Sequence, residues 1–156
     1  PGDAEQLSFP SGQDLIVSCS ALQWFVSPEL FFKRCNALLS GHGYFAFSTF
    51  GKENLKEIAA VTGSGLHYYS LEELKKSLSM HYNIVTAGEE RIRLTFATPL
   101  DVLYHLKHTG VTAVCRQAWT KGDLQEFCDK YAKLFSCGNA VTLTYHPLYI
   151  IARKKP

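Results

Sequence analysis

The sequence predicts an α/β fold, and on architecture alone half of a doubly wound sheet. Three observations predict it. Asp14-Leu-Ile-Val-Ser-Cys19 is a short continuous apolar run behind the turn Pro10-Ser-Gly-Gln13. Its lack of alternation suits a parallel strand covered on both faces. Ser27-Pro28-Glu29 then combines an N-cap residue, a proline at the first helical position and an acid in the first turn. The helix runs to about Leu39, with Leu30, Phe31, Cys35, Leu38 and Leu39 as its buried stripe, and Gly41 and Gly43 stop it. Tyr44 to Phe50, ahead of Gly51, is aromatic and reads as a second buried strand. Strand, helix and strand make a parallel pair with a crossover, and two buried strands are too few to cover their own faces.

The remaining elements follow in order. A helix after Lys52 ends near Thr62-Gly-Ser-Gly65, and Ser70-Leu-Glu-Glu73 is a capping box that opens another, to about Met80. Arg91-Ile-Arg-Leu-Thr-Phe96 alternates strictly and predicts a half-exposed strand. Thr98-Pro-Leu-Asp101 offers a cap, a proline and an N3 acid for a helix closing at Thr109-Gly110, and Thr120 with Asp123 opens one to about Phe135. Val141 to Arg153 reads as one long strand, with Pro147 placing a bulge or an edge inside it. Residues 1–156 are read as one incomplete domain, in which 98–135 is a helical lid interrupting the final strand pair.

Composition narrows the function. With 156 residues, 46% of them hydrophobic and 19% charged, the chain can bury a core and is not a disordered segment. The formal charge of +2 is small and its cations dispersed, which argues against a nucleic-acid face; Arg153-Lys-Lys155 is the one basic run and reads as a solvated terminus. No apolar run approaches the roughly 20 residues that span a bilayer. The opening Pro-Gly-Asp, without a basic and apolar leader, suggests a chain that starts inside a longer protein. Cys19, Cys35, Cys115, Cys128 and Cys137 are widely spaced and contain no C-x-x-C pair, so reduced thiols in a cytoplasmic protein are expected.

Ligands of open α/β sheets bind outside the carboxyl ends of the strands. That rule selects Ser20-Ala-Leu-Gln-Trp24 after the first strand and Thr49-Phe50 after the second. Trp24 can stack on a flat or cationic group while the Gln23 amide fixes a polar one; the alternative is a tryptophan packed against the following helix. Gly2-Asp3-Ala4-Glu5 supplies a carboxylate for an amino or hydroxyl group of a nucleoside. There is no Ser-His-Asp order and no glycine-rich phosphate loop. His105 and His108, at i and i+3, lack a third ligand, so no metal site is expected.

Gly2-Asp3-Ala4-Glu5, Asp14 to Trp24 and Gly43 to Phe50 together resemble the second half of a class I S-adenosylmethionine methyltransferase. Leu103-Tyr-His-Leu-Lys-His-Thr-Gly110, Leu143-Thr-Tyr-His146 and Ile150-Ile-Ala-Arg153 are similar, more narrowly, to the malonyl-[acyl-carrier protein] O-methyltransferase (BioC) family. The resemblance runs from Gly2 to Lys154. It implies the C-terminal half of a Rossmann-like sheet, holding its last four strands with an antiparallel final hairpin. The family's glycine-rich loop and the acid that holds the cofactor ribose have no counterpart in these residues. The missing N-terminal half, or another copy of the chain, would be its partner.

By matched position, the resemblance implies that Asp3 takes the adenine amino group with Ala4 beside it, and that Ser20, Ala21 and Leu22 line S-adenosylmethionine. Gln23 and Trp24 would stand at the reacting centre. The implied reaction is methyl transfer to the free carboxylate of malonyl-acyl carrier protein or malonyl-CoA, in biotin synthesis. A carboxylate is ionised at neutral pH and needs no general base, so the site needs alignment, exclusion of water and a cation or donor for the substrate. Lys107, Arg116 and Tyr145 are the candidates, with Arg91 and Arg93 as further cations; each cation could instead be a solvated charge or part of a docking surface for an acidic carrier protein. The alternatives are a methyltransferase for another small acid or a quinone precursor, and a truncated, non-catalytic binding module.

Overall fold

The computed structural model describes residues 2–6, 8–111 and 119–156. Its elements are β1 (Gln13–Cys19), a 3-10 turn (Leu22–Trp24), α1 (Pro28–Leu38), β2 (Leu39–Phe50), α2 (Lys56–Thr62), α3 (Leu71–Leu78), β3 (Tyr82–Glu89), β4 (Ile92–Phe96), α4 (Pro99–His108), α5 (Lys121–Phe135), β5 (Ser136–Cys137), β6 (Ala140–Tyr145) and β7 (Pro147–Lys154). They form two compact units. The first comprises Pro1–Lys52, His67–Glu90 and Pro147–Pro156, and the second Glu53–Leu66 and Arg91–His146. Among the described residues no helix is long and apolar enough to cross a membrane.

The first unit is built on a four-stranded sheet of order β1-β2-β7-β3. β1 and β2 are parallel, with Leu15 opposite Tyr44 and Cys19 opposite Ser48, as the βαβ pattern predicts. β7 lies antiparallel between β2 and β3. The resemblance implies four strands with a reversed last one, and the sheet has that form, but its membership differs: Ile92–Phe96, read as one of the four, lies in the second unit's sheet, and Tyr82–Glu89 takes its place here. The core lies on one face, where Phe32, Phe45, Phe47, Tyr82, Leu148 and Ile150 are all buried. Each such side chain contributes roughly 1.5–3 kcal/mol by leaving water. Tyr82 keeps its hydroxyl satisfied there by donating to the Phe32 carbonyl at 2.9 Å.

Five local readings change. Leu30, read into the buried stripe of α1, is 67% exposed, and Phe32 takes a buried place on that helix instead. α1 passes into β2 without a loop: Leu39, its C-cap, is already extended at ψ 144°, so Gly41 and Gly43 belong to the strand and do not stop the helix. A Cβ at Gly43 would lie 2.8 Å from the Gln13 carbonyl oxygen, which is where β1 and β2 approach through a register shift. Residues 82–89, unassigned from sequence, form β3. Val141 to Arg153 is two strands: β6 ends at Tyr145 in one sheet, and Pro147, which cannot donate to a ladder, begins β7 in another. The opposite face of β1 is open, with Leu15 57% and Val17 59% exposed, because no described element packs on it.

The basic tail is also structural. Lys154 donates from Nζ to the carbonyl of Leu39, and Lys155 to that of Ser79, at 2.7 and 2.5 Å. Leu39 and Ser79 are the C-caps of α1 and α3, so both lysines sit at the negative ends of helices.

The second unit carries α2, α4 and α5 on a three-stranded antiparallel sheet of order β4-β6-β5. The capping boxes Thr98/Asp101 and Thr120/Asp123 are both formed, as is Ser70/Glu73 in the first unit. Val102, Leu106, Phe127, Tyr131, Val141 and Leu143 make a separate core. Thr144 and His146 extend beyond the short β5 and find a substitute for a neighbouring strand in residues 53–57. The Leu55 amide donates to the Thr144 carbonyl (2.8 Å), the Thr144 amide donates to the Glu57 carboxylate (2.9 Å), and the His146 amide donates to Asn54 Oδ1 (3.1 Å). Leu55 takes a left-handed conformation, φ 53°, to make this possible.

Candidate active site

In the first unit the chain leaves β1 at Ser20, whose amide still donates to the Ser48 carbonyl at 3.0 Å. Ser20 then turns through φ 50°, in the left-handed region that non-glycine residues seldom enter. Gln23 holds this turn: its Nε2 donates to the Ser20 carbonyl at 2.5 Å, and its Oε1 accepts from the Thr49 hydroxyl at 3.2 Å. The ends of the two parallel strands are thereby tied together. Trp24, in the 3-10 turn, is 50% exposed and is no core residue, whereas Leu22 is buried against α1 and β2. Only the backbone of Leu22 is available to a ligand; Ser20 is open to solvent and Ala21 half-buried.

Asp3 is exposed and folds a tight turn, its carboxylate accepting from the Glu5 amide (2.8 Å) and the Gln6 side-chain amide (2.9 Å). A carboxylate offers about four lone-pair sites, so acceptor capacity remains. Ala4 packs on the core. Glu5, part of the Gly2-Asp3-Ala4-Glu5 segment but given no role of its own from sequence, anchors the segment by accepting from the Val26 and Ser27 amides, each at 2.9 Å, while its own carbonyl accepts from Arg34 at 2.6 Å. Ser27 therefore stands at the N-cap of α1 without a side-chain cap bond. Asp3, Ala4 and Ser20 to Trp24 are brought together in one unit through this anchor.

A cavity of about 190 Å³ lies at the other end of β1, among Phe9, Leu15, Ile16, Phe31 and Leu38. Its walls are mostly apolar, with Gln13 and Arg34 also lining it, and it stands away from the carboxyl ends of the strands.

In the second unit, Tyr145 on β6 is half-buried and its hydroxyl meets His105 Nε2 at 3.0 Å. Burial raises the phenol above its ordinary pKa, and a hydrogen bond with Thr109 opposes the shift. His105 also packs on Phe96, with ring centroids 5.1 Å apart. Lys107 is exposed in the last turn of α4. Arg116 lies outside the described residues. Arg91 pairs with Glu53 at 2.5 Å and Arg93 is exposed. The hydrogen bond from Arg91, followed by that from Lys56, holds the Glu53 carboxyl down at about 2. Among the described residues no three His, Cys, Asp or Glu side chains form a metal-binding group.

The fold is that of the class I methyltransferases. A Bacillus halodurans protein assigned as a methyltransferase superposes with a TM-score of 0.66 at 16% identity, over 99% of this chain and 70% of that one. Phosphoethanolamine N-methyltransferase 2 of Haemonchus contortus, in complex with S-adenosylhomocysteine, does so at 0.52 and 14%, over 99% of this chain and 36% of that one. In sequence, the chain is a homologue of part of the malonyl-[acyl-carrier protein] O-methyltransferases. It is 57% identical to the Bacteroides thetaiotaomicron protein, over 99% of this chain and 63% of that one, and 42% identical to the Haemophilus influenzae protein, over 97% and 59%. With the Bacteroides fragilis protein the figures are 58% identity, 99% and 32%. The chain thus spans less than two thirds of each of these relatives. No family model matches it.

Proposed function

We propose that this chain is the C-terminal portion of a cytoplasmic enzyme that methylates the free carboxylate of a malonyl thioester, carried on acyl carrier protein or coenzyme A, in biotin synthesis. The observation that carries the reading is 57% identity, along 99% of the chain, to a protein of that name. S-adenosylmethionine would supply the methyl group from its sulfonium. The residues of the first unit fit such a cofactor: Asp3 has spare acceptor capacity for an amino group, the turn at Ser20 and Ala21 offers open backbone, and the Trp24 ring can face a cation. Gln23 and Trp24 would align the reacting groups and exclude water.

Lys107, Arg116 and Tyr145 would hold the substrate carboxylate or its carrier, with the helices of 98–135 forming the cover where specificity resides. Leu15, Val17, Tyr149 and Ile151 leave one face of the first unit's sheet apolar and exposed, which supports a further partner there, either the rest of the protein or a second copy. The whole encoded protein, incubated with S-adenosylmethionine and malonyl-acyl carrier protein or malonyl-CoA, is expected to yield the malonyl methyl ester by mass spectrometry. Methyl transfer to another small acid, with no ester from either malonyl thioester, would overturn the reading.

A further inference from the structure

We infer that Thr49 is a positioning residue, which holds the cofactor-facing turn after β1 in its working shape by fixing the Gln23 amide. The inference rests on the methyltransferase reading above, but not on the identity of the methyl acceptor. Thr49 is buried, at 4% exposure, and ends the run of inward-facing residues on β2. Its hydroxyl donates to Gln23 Oε1, which leaves the Gln23 amide nitrogen to face the Ser20 carbonyl. The reversed amide would set its oxygen against the Ser20 carbonyl oxygen, so the carbonyl selects this orientation, and the Thr49 hydroxyl, which can donate or accept, holds the amide in place by donating to its oxygen.

Ser20 is the residue that needs this help. A serine at φ 50° persists where its surroundings over-determine the backbone, and the bond from Gln23 to its carbonyl is such a constraint. The same turn sets where the Ala21 and Leu22 backbone and the exposed Trp24 ring lie. Thr49 is thus connected to the ligand-facing surface through Gln23, across 26 residues of sequence.

The test uses the whole encoded protein and calorimetric titration with S-adenosylhomocysteine, with steady-state kinetics alongside. Thr49→Val, nearly isosteric, is expected to weaken binding and raise the KM for S-adenosylmethionine by roughly five- to tenfold, the worth of one ordering hydrogen bond, with kcat changed less. Thr49→Ser should restore both. Gln23→Leu, which also removes the bond to the Ser20 carbonyl, should lose at least as much, and the double variant should lose no more than Gln23→Leu alone, because Thr49 acts through Gln23. Gln23 is only half-buried, so that arm remains readable even if Thr49→Val impairs folding.

Wild-type affinity in Thr49→Val, failure of Thr49→Ser to restore it, or losses that add in the double variant would each overturn the inference. If the wild-type protein binds S-adenosylhomocysteine but leaves malonyl thioesters unmethylated, the substrate reading fails while the binding series still decides the role of Thr49. No binding by the wild-type protein overturns both.

Discussion

The Glu57 carboxylate is the most exacting point of the second unit. It is 2% exposed and accepts two hydrogen bonds from one residue, the Thr144 amide at 2.9 Å and the Thr144 hydroxyl at 2.5 Å. Glu57→Ala removes the acceptor and leaves two buried donors without a partner. Each costs roughly 1–3 kcal/mol, so the variant should lose about 4 kcal/mol. For a chain of this size each kcal/mol lowers Tm by roughly 2–4 °C, which gives a fall of roughly 8–16 °C. The assay is thermal unfolding followed by circular dichroism on wild type, Glu57→Ala, and Glu57→Ala with Thr144→Val. The double variant deletes the orphaned hydroxyl but not the amide, and should recover part of the loss. A fall in Tm of less than about 3 °C in Glu57→Ala, against the 8–16 °C expected from two stranded donors, would refute the reasoning. So would a double variant less stable than the single one.

Trp24→Ala in the whole protein should cut kcat/KM by roughly tenfold or more while Tm moves little, since half of the ring is already in water; a large fall in Tm with unchanged kcat/KM would make it a packing residue. Lys107→Ala should raise the apparent KM for the malonyl thioester severalfold at low salt, with the difference shrinking as salt screens the charge; unchanged kinetics at low salt would count against a substrate contact. The Glu53 carboxyl is held at about 2, below its ordinary 4.5, so its contribution to stability is present above pH 4.5 and is lost as pH falls toward 2. Acid titration of Glu53→Gln, followed by circular dichroism, should therefore show a shallower loss of stability across that window, and an identical acid limb would contradict the pairing with Arg91 and Lys56.

What the sequence disclosed divides by the distance over which each feature is decided. The capping boxes Ser70/Glu73, Thr98/Asp101 and Thr120/Asp123 close within three residues, and all three were legible. The parallel pair β1 and β2 was legible too, because a buried run, a capped helix and a second buried run imply it. β3 was not: half of its residues are exposed, and its partner β7 lies far along the chain, reached through a register shift between Ile84 and Thr86. The break at Pro147 was visible as a proline, but assigning the two sides to different sheets depends on β4 claiming one and on β2 and β3 claiming the other.

The candidate site divides in the same way. Trp24 stands out because a large ring directly after an apolar run, read as a strand, has few places to go, and the structure leaves half of it in solvent. Glu5 and Thr49 are picked out by position but not for the bonds they make, and Glu57 is not picked out at all, since each satisfies a polar group 21 to 87 residues away. Glu5 and Thr49 hold the turn and the segment beside it, and Glu57 completes an edge that β5 is too short to cover. The exposed residues of this site were therefore readable from composition and position, whereas the bonds that fix their geometry are made by ordinary acids and hydroxyls whose importance arises only when the chain closes on itself. Those bonds are where substitutions should alter function with no change in the residues that face the ligand.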